Sequence, residues 1–313
     1  MALTLILVLL GLTLLLGGSD FLVKASCQIA NKLGISPLII GLTVVAFGTS
    51  APELFVSVGA SLKGNADFAI GNVVGSNIFN IFGIISVSAI LATIKINKQI
   101  LFKEMPIMLL AIGLFYLFSI DGYISRTNGI ILFLGIIIYL GYIFIQSKKI
   151  KVPFVEEVEE NTEKLWTIPF ASFVIIISLA AMIFGSNLIV EYGSILAKYV
   201  GISDFVISVT LVAIGTSLPE LATTFAAARK GFADLAIGNA VGSNIFNVFT
   251  VIGLTAIITP IKVDEKIINF DFPIMFFGCL AIWPFMLLRK KFGKIEALFM
   301  LSAYLIYVYF LIK

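Results

Sequence analysis

Two glutamates, Glu53 and Glu220, each close a segment of the form Gly-Thr-Ser-x-Pro-Glu, at residues 48–53 and 215–220. Each lies about 16 residues inside a long apolar run, where an ionised carboxylate costs several kcal/mol unless it meets a partner or a wet cavity. No lysine or arginine sits at comparable depth in those two runs. A mobile cation is therefore the expected partner, in preference to a buried ion pair. Thr49 and Thr216 precede the glutamate by four positions and Ser50 and Ser217 by three, which on a helix places hydroxyls on the face of the carboxylate. Pro52 and Pro219 cannot donate to the carbonyls of Gly48 and Gly215, so backbone oxygens are expected to come free at mid-depth. Glu53 and Glu220 read as the only carboxylates well inside their spans.

A second pair of segments offers another wall. Asn72, Ser76 and Asn80 recur every four residues, as do Asn239, Ser243 and Asn247, so each set forms one polar stripe on a helix. Such stripes serve either as glue between helices or as ligands, and beside the glutamates the ligand role is expected. Gly71 with Gly75, and Gly238 with Gly242, form a small-xxx-small pattern that lets helices approach closely. The combined set offers carboxylate, hydroxyl, amide and backbone oxygens, the chemistry of hard cations such as Ca²⁺ and Na⁺; transition metals are disfavoured. Two carboxylates match one Ca²⁺ or two Na⁺, and a third Na⁺ would make exchange electrogenic.

The elements that must carry these groups follow from composition. The chain of 313 residues is 60% hydrophobic and 12% charged, too little charge to cover the surface of a soluble domain. Its apolar runs approach the roughly 20 residues that a spanning helix needs and show no strand alternation, so an all-α polytopic membrane protein is expected. Ten spans are read at roughly 2–30, 37–62, 66–93, 100–120, 127–146, 167–198, 204–229, 233–259, 267–289 and 295–312. The first run lacks a basic flank and a small-residue cleavage site, so it reads as a spanning helix and not as a cleaved signal.

The two halves repeat without a gap at an offset of 167 residues. Gly71 to Asn80 falls on Gly238 to Asn247, and Lys63-Gly64 falls on Lys230-Gly231. Five spans per half is an odd number, so the second copy enters from the opposite face, the inverted-repeat architecture of alternating-access transporters. The expected organisation is a five-helix repeat over 1–146, a cytoplasmic linker over 147–166 and an inverted five-helix repeat over 167–313. Clustered glutamates in that linker, Glu156 to Glu163, lack the Gly and Asn spacing of a calcium cage and read as a solvated connector. Of the 21 Lys and Arg, 15 fall on one side of the ten spans and 6 on the other. That bias places both termini outside and the linker in the cytoplasm.

Several function classes fall away. The chain has no histidine, which removes imidazole relays, histidine metal sites and a Ser-His protease; no enzyme is indicated. No cofactor is indicated either. Cys27 and Cys279 have no paired spacing, and no basic patch suggests nucleic acid.

On the paired Gly-Thr-Ser-x-Pro-Glu and Gly-Asn-x-x-Gly-Ser-Asn-Ile-Phe-Asn motifs, the chain resembles the cation/calcium antiporter superfamily, and most of all its prokaryotic sodium/calcium exchangers. The resemblance spans essentially the whole chain. It implies cation ligands at Thr49, Ser50, Glu53, Ser76 and Asn80 and at Thr216, Ser217, Glu220, Ser243 and Asn247, joined by the carbonyls of Ala46 and Ala213. It implies Na⁺ and Ca²⁺ as the exchanged ions, since proton-coupled members usually carry a Gly-Asn segment before the glutamate. Potassium-dependent relatives carry an acid at the position of Asn247, so the amide here argues against a K⁺ requirement. Proton-coupled or K⁺-dependent Ca²⁺ exchange stays open as an alternative, with a cation channel more distant. The first and sixth spans, long and glycine-bearing, are expected to move and expose the site alternately, within a functional monomer.

Overall fold

The structure, a computed structural model, describes residues 1–149, 166–201 and 213–312. The linker glutamates fall outside the described residues. Ten helices follow one another: α1 (Ala2–Leu33), α2 (Pro37–Leu62), α3 (Asp67–Leu91), α4 (Ile100–Ser119), α5 (Arg126–Lys149), α6 (Ile168–Tyr199), α7 (Leu218–Arg229), α8 (Ala233–Ile258), α9 (Ile267–Arg289) and α10 (Lys294–Ile312). Nine of them, among the described residues, are long and apolar enough to cross a membrane. The seventh expected span is described from its short helical turn Ala213–Gly215 onward. The chain is a multi-pass, all-helical membrane protein.

Local sequence explains the punctuation. Ser36 caps α2, accepting from the Leu38 N–H at 3.1 Å, and Pro37 occupies the first turn, where its missing N–H costs nothing. The turns that join α2 to α3 and α7 to α8 need a left-handed residue, supplied by Gly64 (φ 87°) and Gly231 (φ 81°). These are the repeat-matched glycines of the two Lys-Gly pairs.

Two small sheets record the inversion. β1 (Ile94–Lys95), after α3, pairs antiparallel with β4 (Lys291–Phe292), before α10. β2 (Tyr123–Ile124), before α5, pairs with β3 (Ile261–Lys262), after α8. Each pair joins a loop of one repeat to a loop of the other. Six helices, α4 to α9, separate the α3–α4 loop from the α9–α10 loop, an even number, which suits two loops that pair with each other.

Helices α3 and α8 form the centre, with 83% of their most apolar stretch buried, against 22% for α1 and 33% for α6. The peripheral pair α1 and α6 cross through glycine. A Cβ on Gly11 would sit 2.7 Å from the Gly185 carbonyl oxygen, and one on Gly185 would sit 2.6 Å from that of Gly11. Only bare backbone fits there. Gly238 and Gly242 serve packing as well, since Cβ atoms there would meet the Leu38 carbonyl at 3.0 Å and the Ala46 side chain at 2.8 Å. α8 thus seats on the first half of α2.

Candidate cation site

The two Gly-Thr-Ser-x-Pro-Glu segments break their helices at the serine. Ser50 (φ −83°, ψ 3°) and Ser217 (φ −89°, ψ 5°) leave the helical region, and a fresh helix starts at Ala51 and at Leu218 with proline in its first turn. Glu53 and Glu220 therefore stand in the first turn of a helix, fully buried at 0% exposure.

The break changes which hydroxyl meets which carboxylate. Ser217 donates to Oε1 of Glu53 at 3.0 Å, and Ser50 donates to Oε1 of Glu220 at 3.0 Å. Each serine serves the glutamate of the opposite repeat. The helical-face expectation, serine beside its own glutamate, is corrected here, because a residue at a helix break no longer follows the four-residue spacing. Thr49 likewise reaches across, donating to Oδ1 of Asn239 at 3.1 Å, and Thr216 donates to Oδ1 of Asn72 at 3.3 Å.

Those two asparagines act as braces. Asn72 donates to Ser57 Oγ at 3.0 Å and to the Glu53 carbonyl at 3.4 Å; Asn239 donates to Thr224 Oγ1 at 3.0 Å and to the Glu220 carbonyl at 3.3 Å. Both therefore fix the backbone that carries the glutamates. Ser76 lies 3.5 Å from Oε1 of Glu53, while Ser243 lies 3.4 Å from the Thr49 hydroxyl. The Ala46 carbonyl accepts the Ser50 N–H at 3.0 Å and the Thr49 hydroxyl at 3.3 Å. Ala213 opens the turn before Thr216. The carbonyl of Gly215, expected to be freed by Pro219, accepts the Ser186 hydroxyl of α6 at 2.5 Å.

Asn80 and Asn247 sit where α3 and α8 widen into π-helical turns, Phe79–Ile84 and Asn247–Ile252. Such turns interrupt the regular hydrogen-bond ladder and recur at functional sites. The Asn80 amide donates to Oδ1 of Asn244 at 2.9 Å, and the Asn247 amide donates to Oδ1 of Asn77 at 3.1 Å.

Among the described residues, the buried side-chain oxygens that lack a protein partner and belong to no hydroxyl number four: Oε2 of Glu53, Oε2 of Glu220, Oδ1 of Asn80 and Oδ1 of Asn247. An unsatisfied buried polar atom costs about 1–3 kcal/mol, more when charged. One acid and one amide from each repeat carry that cost together.

Beyond Glu53 and Glu220, the carboxylates read as lying well inside their spans, neighbouring helices also bury Glu104 and Asp271 near the starts of theirs. Glu104, fully buried, accepts from Tyr139 at 3.0 Å and Gln99 at 2.9 Å. Asp271, 6% exposed, accepts from Tyr307 at 2.9 Å. Both occupy π-helical first turns, of α4 and α9. They sit near helix starts along the chain, yet neighbouring helices cover them. The matched runs Glu104-Met-Pro-Ile-Met and Asp271-Phe-Pro-Ile-Met, again 167 residues apart, were the signal that could have found them. Asp20, within α1, is 37% exposed at its side chain and pairs with Arg229 at 3.1 Å and Lys230 at 3.0 Å.

Known proteins share this fold. The family model described as sodium/calcium exchanger protein matches residues 3–148 and 170–313. A sodium/calcium exchanger of Methanosarcina acetivorans is 36% identical over 306 residues, covering 86% of this chain and 87% of the relative. An inner membrane protein of Escherichia coli is 37% identical over 273 residues, covering 86% and 84%. The solved sodium/calcium exchanger from Methanococcus jannaschii aligns with a TM-score of 0.84 at 31% identity over 98% of both chains. A sodium-calcium exchanger structure soaked with Na⁺ and Ca²⁺ aligns at 0.83, with 31% identity over 97% of both chains.

Proposed function

Because the chain belongs to the sodium/calcium exchanger family of cation antiporters, we propose that it exchanges Na⁺ for Ca²⁺ at one site between Glu53 and Glu220. The observation that carries this reading is the set of four buried oxygens without a donor among the described residues, two from carboxylates and two from amides. Oxygen-only ligands with two negative charges suit one Ca²⁺ or two Na⁺. The ions would be held by Thr49, Ser50, Glu53, Ser76 and Asn80, by Thr216, Ser217, Glu220, Ser243 and Asn247, and by the carbonyls of Ala46 and Ala213. A third Na⁺ would make the cycle electrogenic. The amide at Asn247 supports K⁺ independence. All of these groups lie in one chain, so a monomer suffices.

Alternating access would follow from movement of α1 and α6 against the centre. The two are locked to each other at Gly11 and Gly185, so they travel as a unit. α6 also touches both broken segments, with Leu179 over Gly48 and Val190 over Gly215. A shift of this pair would therefore bear on both halves of the site at once. The termini would face outward and the linker the cytoplasm, as the lysine and arginine bias implies.

The test is Ca²⁺ uptake into vesicles preloaded with Na⁺, with Na⁺, K⁺ and pH gradients imposed separately. Uptake should follow the outward Na⁺ gradient alone and respond to membrane potential. Uptake that ignores Na⁺ and follows the pH gradient would overturn sodium coupling.

A further inference from the structure

A neutral carboxamide has nearly the same shape either way round, yet one end attracts a cation and the other repels it. Asn80 and Asn247 can serve a cation only if their oxygens, and not their NH₂ groups, face the glutamates. We infer that Asn77 and Asn244 are positioning residues that set this polarity, each acting on the asparagine of the opposite repeat. The inference rests on the cation-site reading given above.

Asn247 turns its NH₂ to Oδ1 of Asn77 at 3.1 Å, and Asn77 in turn places its own NH₂ 3.4 Å from the backbone carbonyl of Asn244. A backbone carbonyl can only accept. Asn77 must then present oxygen to Asn247, and Asn247 must present its own oxygen away from Asn77. On the other side, Asn80 donates to Oδ1 of Asn244 at 2.9 Å, and the NH₂ of Asn244 lies 3.5 Å from Sδ of Met108. A thioether also only accepts. Both chains of donors end on atoms without a hydrogen, so neither can reverse. The outcome is the pair of oxygens, Asn80 Oδ1 and Asn247 Oδ1, that no group among the described residues satisfies.

The two locks differ in their anchors. One ends on a carbonyl and the other on the weaker acceptor of Met108. The repeat counterpart of Met108 is Met275, fully buried, and no asparagine amide bonds to it among the described residues. Met108 should therefore matter to the site and Met275 should not.

The experiment measures apparent affinity for Ca²⁺ and for Na⁺, and maximal rate, on the full chain in vesicles. Asn77→Leu, which keeps the branched outline and removes the amide, should weaken cation affinity about tenfold, the size of one lost favourable contact. In an Asn247→Asp background the same change should cost less than about twofold, because a carboxylate offers oxygen at both ends and needs no orienting. Equal losses in both backgrounds, or no loss in the native background, would overturn the inference. Should Asn77→Leu fail to fold, Met108→Leu decides. That volume-conserving change should weaken affinity about threefold with maximal rate kept, while Met275→Leu leaves affinity unchanged; equal effects would refute the lock. Absence of Ca²⁺ transport by the native chain would count against the Na⁺/Ca²⁺ reading alone, since the Na⁺ affinities still judge the lock.

Discussion

The hydroxyl of Ser217 lies 3.0 Å from Oε1 of Glu53, although the two residues belong to opposite repeats and stand 164 positions apart in the chain. With its mirror, Ser50 to Glu220, it makes the site a shared object: neither repeat alone completes the surroundings of its own carboxylate. Any displacement of one repeat against the other alters both contacts together.

Ser217→Ala and Ser50→Ala each remove a hydrogen bond to a buried carboxylate, an effect of about 1–1.5 kcal/mol. Each should raise the half-saturating Ca²⁺ concentration about 5–10-fold in vesicle uptake. Unchanged affinity in both would contradict the crossed contact.

Glu53→Gln and Glu220→Gln should each reduce exchange at least about 100-fold while the chain still folds, since glutamine keeps the shape and removes a buried charge. Thermal melting of the purified protein provides a second reading. Without cations the variants should melt no lower than the native chain, and added Ca²⁺ should stabilise only the native chain, because stabilisation by a ligand requires its binding.

Gly185→Ala places a methyl against the Gly11 carbonyl at a distance no packed Cβ adopts. The α1–α6 crossing must open, at a cost of about 1–3 kcal/mol. A lower melting temperature together with slower turnover is expected, whereas Gly17→Ala, whose Cβ meets nothing within 4 Å among the described residues, should change neither.

Tyr139→Phe leaves one oxygen of buried Glu104 without its donor and should destabilise the fold by about 1–3 kcal/mol. The Ca²⁺ half-saturation in vesicles should stay at the native value. A shift there would draw Glu104 into the transport site.

Much of this was legible in the sequence because inversion leaves a linear trace. The 167-residue offset, the duplicated Glu53 and Glu220 segments and the long apolar runs carry the ten-helix plan without any contact being known. Element partners were another matter. Ser50 pointing to Glu220, and not to Glu53, depends on a helix break at the serine and on how two inverted copies interlock, neither of which helical spacing encodes. Asn77 and Asn244 sit inside the repeated motif, but the four-residue stripe of Asn72, Ser76 and Asn80 passes them by. Their role emerges only where the π-helical turn brings the amides of the two repeats together. Glu104 and Asp271 were missed because depth along a span is a poor proxy for burial when neighbouring helices cover the span's end.

The central claim is that Glu53 and Glu220 form one site shared by both ions. Equilibrium binding of radiolabelled Ca²⁺ to the purified chain tests it most directly, with Na⁺ as competitor and each Glu→Gln variant alongside. One Ca²⁺ per chain, displaced competitively by Na⁺ and lost in either variant, is the expected result. Two independent Ca²⁺ sites, or binding that survives in one variant at native affinity, would contradict it.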